Sequence, residues 1–204
     1  MKTYGFKDEE PVLILQRGGL IAFPTETVYG IGCRFDRSES YERLNRVKRR
    51  PPEKPYTVML SDIDAIEKYA LLKPSHRTLI NRFMPGEVTF VLERKDSVPD
   101  IGFTGSTTVG IRVPGSTELR DFLKRVGVPL LVPSANRSGE KPAASASEVI
   151  EIFDEELDGV IDGSLGGGIP STVVLLTGDV PVLLREGAVP FQEIIDTYRK
   201  EVKA

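Results

Sequence analysis

The chain has one cysteine and one histidine among 204 residues. A lone cysteine, Cys33, excludes an internal disulfide and any multi-cysteine metal site, and it permits a reducing compartment. A lone histidine, His76, with no second candidate beside it, argues against Ser-His-Asp hydrolysis and histidine-ligated zinc. His76 follows Ser75, read as an N-cap, and opens a periodic segment through Leu79, Ile80 and Phe83. It is therefore expected to be an exposed first-turn residue. No apolar run is long enough to cross a bilayer, and residues Met1 to Lys7 have no signal-like apolar stretch, so a cytoplasmic protein is expected. Positive charge is not in excess either. With 27 Lys and Arg against 30 Asp and Glu, the net charge is −3, so phosphate binding has to come from local placement of cations.

What is present is ordinary for a globular protein: 40% hydrophobic and 28% charged residues, with length for one well-buried core. Residues 1–204 are expected to form one domain. Asp8-Glu9-Glu10-Pro11 reads as a helix start, with Val12, Leu13 and Leu15 inside and Gly18-Gly19 as the stop. Leu20 to Phe23 reads as a buried strand. Ser38 is placed to cap a helix carrying Tyr41, Leu44 and Val47 on one face and ending near Lys48 and Pro51. Further strands are expected at Tyr56 to Leu60, Val88 to Leu92, Val109 to Val113, Leu130 to Val132, Val160 to Ile161, Ser171 to Leu176 and Val182 to Leu184. Helices are expected at Ile63 to Tyr69, Ser75 to Met84, Thr117 to Val126 and Ser147 to Phe153. The alternation implies an α/β fold: a mixed, twisted sheet of parallel and antiparallel strands flanked by helices.

Polar motifs collect at the expected strand ends, where open α/β sheets bind ligands. Thr25 to Gly30 follows the first strand, Thr107-Thr108 precedes the Val109 strand, and Ser134-Ala135-Asn136 follows the Leu130 strand. Lys48 and Arg50 alternate at a helix end. They either offset the helix dipole or bring fixed charge to a phosphate, and Pro51-Pro52 stiffens the exit. Ser134 and Asn136 offer a hydroxyl and an amide, though Ser-x-Asn with Ser138-Gly139 also describes a self-bonded turn. Gly166-Gly167-Gly168 has no Lys-Ser/Thr after it and reads as a flexible turn, not a P-loop. Arg112 in an apolar strand needs a partner or a ligand, and so does Arg185 after Leu183-Leu184.

Taken in order, these segments resemble the YrdC family of threonylcarbamoyl-AMP synthases from about Pro11 to Val189. The resemblance is carried by Pro24-Thr25-Glu26-Thr27-Val28-Tyr29-Gly30, Lys48-x-Arg50-Pro51, Pro85-Gly86-x-x-Thr89-Phe90 and Val109 to Pro114. Pro133-Ser134-Ala135-Asn136-x-Ser138-Gly139, Ser171 to Val174 and Leu184-Arg185-x-Gly187-Ala188 complete it. It implies a YrdC-like fold with a concave cleft and a nucleotidyltransferase. The substrates would be L-threonine, bicarbonate or carbon dioxide, and ATP. The products would be threonylcarbamoyl-AMP and pyrophosphate, in the path to N6-threonylcarbamoyladenosine in tRNA.

By the same resemblance the catalytic set is Lys48, Arg50, Ser134 and Asn136. Thr27, Arg112, Ser134 and Ser171 would contact L-threonine. Lys48, Arg50, Lys54, Thr108, Asn136, Ser145 and Arg185 would contact ATP. No protein metal site is implied, Mg²⁺ arriving on the ATP phosphates. The product would pass to a tRNA threonylcarbamoyl transferase complex, with tRNA contact weak or indirect and no membrane partner. Met59 stands near a position where many longer relatives carry histidine, and the chain resembles the form lacking an extra C-terminal domain. Two other readings remain open: a non-catalytic double-stranded RNA or tRNA module of the same fold, and a paralogue such as a carbamoyl-AMP-forming domain of hydrogenase maturation.

Overall fold

Leu20 and Ala22 face one hydrophobic cluster while Ile21 and Phe23 face another, the two-residue period of a strand covered on both sides. In the computed structural model, which describes residues 1–51 and 54–201, that strand lies in one mixed sheet. The strands are β1 (Thr3–Tyr4), β2 (Ile21–Phe23), β3 (Gly30–Arg34), β4 (Thr57–Met59), β5 (Ala70–Leu71), β6 (Val88–Arg94), β7 (Thr108–Arg112), β8 (Leu130–Leu131), β9 (Gly159–Ile161), β10 (Thr172–Leu175) and β11 (Val182–Arg185). Their order across the sheet is β1-β9-β2-β3-β8-β4-β7-β6-β10-β11, with β5 pairing β6 off this path. β2 and β3, β3 and β8, β4 and β8, β6 and β7, and β10 and β11 run antiparallel. β1 and β9, β2 and β9, β4 and β7, and β6 and β10 run parallel.

Among the described residues, six α-helices cover the two faces: α1 (Glu10–Gln16), α2 (Ser38–Lys48), α3 (Pro74–Phe83), α4 (Thr117–Val126), α5 (Ala146–Phe153) and α6 (Phe191–Glu201). α1 and α4 pack Val12, Leu15, Leu119, Phe122 and Val126 against Ile21, Phe23, Met59 and Leu130. The larger cluster on the other face takes Leu44 and Val47 of α2, Leu79 and Phe83 of α3, Val149 of α5 and Ile194 of α6. None of the helices among the described residues is long and apolar enough to cross a membrane.

Several elements differ from the sequence expectation. The Ile63 to Tyr69 segment forms only a 3-10 turn at Ile66–Lys68, which leads into β5. α2 takes Arg37 as N-cap and Ser38 as its first residue, and α3 takes Lys73 as N-cap instead of Ser75. β1, β3, β5 and α6 were not anticipated. His76 is buried at 2% exposure, not exposed. Its Nδ1 accepts from the Lys73 amide at 3.3 Å and its Nε2 meets the Gly178 carbonyl at 3.1 Å, so the ring closes the start of α3. Burial lowers its pKa. Pro52, expected to stiffen the loop with Pro51, lies outside the described residues.

Candidate active site

α2 ends at Lys48 because Arg49 turns into the left-handed region at φ 50, ψ 44, which costs a residue with a Cβ about 1–2 kcal/mol. The amides of Arg49 and Arg50 close the helix end on the Arg46 and Asn45 carbonyls, both at 3.1 Å. This turn sends Lys48 and Arg50 into different surroundings. Lys48 is 1% exposed, and its Nζ donates to the carbonyls of Ser134 at 2.5 Å and Asn136 at 2.7 Å. Burial, with Arg50 and Arg137 adding positive charge nearby, lowers its pKa from 10.5 to about 7. Lys48 does not line the cavity described below; it braces the loop behind it. The Lys48 carbonyl accepts from the Ser138 amide at 2.9 Å, and Arg137 reaches the Val47 and Ile152 carbonyls and pairs with Glu156.

The braced loop is also fastened from its other side. Gly30 and Ser134 form an antiparallel bridge, the Ala135 amide donates to the Tyr29 carbonyl at 2.7 Å, and Ile31 N donates to the Pro133 carbonyl at 2.9 Å. Ser134 Oγ donates to Asn136 Oδ1 at 2.6 Å, and Asn136 Nδ2 donates to the carbonyls of Arg137 at 2.7 Å and Glu140 at 3.0 Å. The turn reading of this motif is thus realised, and the same turn forms a wall of a cavity of about 260 Å³.

Arg50 forms part of that cavity from the α2 side. Its guanidinium donates to the Lys54 carbonyl at 3.2 Å and the Pro55 carbonyl at 2.9 Å and stacks 4.4 Å from the Tyr56 ring centroid. Burial lowers its pKa. At the end of β7, Arg112 donates from Nε to the Gly86 carbonyl at 3.1 Å, from Nη1 to Thr27 Oγ1 at 2.9 Å and from Nη2 to Glu26 Oε1 at 2.7 Å. The partner that an arginine in an apolar strand required is therefore Glu26. Ser171 Oγ lies 2.9 Å from Thr89 Oγ1, and Arg185 Nη2 donates to the Ser171 carbonyl at 2.8 Å. Desolvation and the neighbouring Arg112 lower the pKa of Arg185.

Arg50, Thr27, Arg112, Ser134, Asn136, Ser171 and Arg185 all line this one cavity, with Met59 on its surface as well. Lys54, Thr108 and Ser145 do not. The Thr108 hydroxyl lies 2.9 Å from Ser106 Oγ at the start of β7, and Ser145 Oγ accepts from the Glu148 amide at 3.1 Å as the N-cap of α5. The sequence reading passed over Tyr56, Thr57, Thr89 and Glu140, which also line the cavity. Thr89 carried a usable signal, a hydroxyl inside the apolar run Val88 to Leu92. Among the described residues no three His, Cys, Asp or Glu side chains gather to hold a metal ion.

The comparisons with known proteins bear on the family and the fold. The Sua5_yciO_yrdC family model, described as telomere recombination, matches residues 13–187. Threonylcarbamoyl-AMP synthase of Bacillus subtilis (strain 168) is 34% identical over 184 residues, which cover 89% of this chain and 53% of that protein. The chain thus spans about half the length of that curated relative. A crystal structure of P. abyssi Sua5 complexed with L-threonine matches with a TM-score of 0.89 at 33% identity, over 96% of this chain and 60% of the other. E. coli YciO matches with a TM-score of 0.84 at 28% identity, over 91% of both chains.

Proposed function

This chain belongs to the Sua5-YciO-YrdC family, and on that premise we propose that it is an L-threonylcarbamoyladenylate synthase. It would act as one domain over residues 1–204, converting L-threonine, bicarbonate or carbon dioxide, and ATP to threonylcarbamoyl-AMP and pyrophosphate. The observation that carries this reading is the gathering of three guanidiniums, Arg50, Arg112 and Arg185, with the hydroxyls of Thr27, Ser134 and Ser171 around one cavity. Such a surface suits a ligand pair with a carboxylate and several phosphates. The L-threonine in the related P. abyssi structure supports the amino-acid half.

The chemistry asks for positioning and charge stabilisation and not for a protein nucleophile. The threonine amine adds to carbon dioxide, forming the N–C bond and losing a proton. A carbamate oxygen then attacks the α-phosphorus of ATP, and the bond to the bridging oxygen breaks as pyrophosphate leaves. Arg112 holds the threonine carboxylate, with Thr27 and Ser171 reading its polar groups. A site that hydrogen-bonds the substrate hydroxyl rejects analogues lacking it more strongly than an apolar slot does. Arg50 and Arg185 offset charge on the phosphates, Mg²⁺ entering with the nucleotide. The product would serve N6-threonylcarbamoyladenosine formation in tRNA through a separate transferase.

The test is pyrophosphate release from ATP with each component omitted in turn and with amino acids supplied one at a time. The reading expects turnover only with L-threonine and bicarbonate together, and an adenylate whose mass contains both. Turnover without L-threonine would indicate a carbamoyl-AMP-forming paralogue. Salt-sensitive tRNA binding without any turnover would indicate an RNA-binding module.

A further inference from the structure

Glu26 lies behind the cavity and does not line it, yet it touches the most buried guanidinium that does. Its Oε1 accepts from Arg112 Nη2 at 2.7 Å and from the Gly115 amide at 2.6 Å. Arg112 is 6% exposed, and its other bonds, to Thr27 Oγ1 and the Gly86 carbonyl, hold three of its five N–H donors in all. One donor on each terminal nitrogen is left for a ligand. The second oxygen of Glu26, Oε2, is buried and has no hydrogen-bond partner among the described residues. The carboxylate therefore uses one oxygen for two bonds, one that holds the Arg112 guanidinium and one that anchors Glu26 on the Gly115 amide, and leaves the other oxygen unbonded.

We propose that Glu26 is a positioning residue that aims Arg112 through Oε1 and, through its charge, weakens the hold of Arg112 on a ligand carboxylate. This rests on the reading that the threonine carboxylate meets Arg112. The bound state then contains two carboxylates sharing one guanidinium, so the amino acid is oriented firmly but held loosely enough to be released. Like charges about 6 Å apart at a partly screened protein site change binding by about tenfold or more.

Glu26→Gln separates the two effects. The amide keeps an acceptor for Arg112 and Gly115, replaces an oxygen that accepts no bond, and removes the charge. In calorimetry on the full chain, Glu26→Gln is expected to bind L-threonine about tenfold more tightly than the wild type. The Kd for a non-hydrolysable ATP analogue is expected to be unchanged. Glu26→Ala also removes the acceptor. It is expected to bind L-threonine about tenfold more weakly than Glu26→Gln and to turn over more slowly, because the guanidinium is no longer aimed. A folded Glu26→Gln protein that binds L-threonine no better than the wild type overturns the proposal and leaves the functional reading standing. A wild-type protein that binds no L-threonine overturns both. Should Glu26→Ala fail to fold, the comparison of Glu26→Gln with the wild type decides alone.

Discussion

Lys48 and Arg50 stand two residues apart and end in opposite environments. Lys48 is sealed behind the Ser134 to Asn136 loop with its ammonium on two backbone carbonyls, while Arg50 stacks on Tyr56 and lines the cavity. The left-handed turn at Arg49 separates them. A motif that reads as a pair of cations for one phosphate is thus a brace and a cavity-facing charge. The brace gives the loop its shape, and the shape gives Arg50 something to face.

The difference can be broken at either residue. Removing the cation that faces the cavity has the largest expected effect. Arg50→Ala should lower threonine- and bicarbonate-dependent pyrophosphate release by about 100-fold or more, with thermal stability within about 1 kcal/mol of the wild type. Steady-state assay beside a melting curve checks both halves. Lys48→Met should do the reverse in kind. It strands two buried carbonyls and is expected to cost about 3 kcal/mol in chemical denaturation, with activity falling only as far as the loop loosens.

A subtler test uses pH. The Lys48 pKa in the folded protein is about 7, below its unfolded value of 10.5, so the folded state binds fewer protons across that interval. Stability from this group must therefore rise as pH increases above 7. Burial raises the Cys33 thiol above its ordinary 9.0, so its opposing effect begins only near that pH. Denaturation midpoints of the wild type should climb from pH 7 to pH 9 relative to those of Lys48→Met. The smallest effect is expected at Ser145, whose hydroxyl caps α5. Ser145→Ala should cost about 1 kcal/mol in stability and leave nucleotide affinity unchanged, as measured by titration with an ATP analogue.

Most strands and most helices were legible because apolar periods of two and 3.6 residues are strong where segments are long. β3 was not, since Gly30 and Gly32 hide its pattern. A Cβ at Gly32 would approach Phe23 Cε1 to 2.6 Å, and one at Gly30 would approach Val132 Cγ1 to 2.6 Å, so packing between neighbouring strands excludes side chains there. α6 was missed although Ile194 and Tyr198, four residues apart, are its buried pair. That much apolar surface is a weak signal in a polar segment. His76 was misplaced because a buried histidine that bonds backbone on both ring nitrogens looks, in sequence, like any polar residue at a helix start.

Within the site, the convergence of Arg50 and Asn136 on one cavity followed from their positions at strand and helix ends. The inward turn of Lys48 depended on the conformation of Arg49, which no spacing rule supplies. The Glu26–Arg112 pair joins residues 86 positions apart, and only the pairing of strands brings them together.

The most direct measurement is a crystal structure with L-threonine and a non-hydrolysable ATP analogue. It should show phosphate oxygens within hydrogen-bond distance of Arg50 while Lys48 Nζ stays on the carbonyls of Ser134 and Asn136. Phosphate bonded to Lys48, or nucleotide density outside the Arg50 and Asn136 cavity, would contradict the division of roles between brace and binding group.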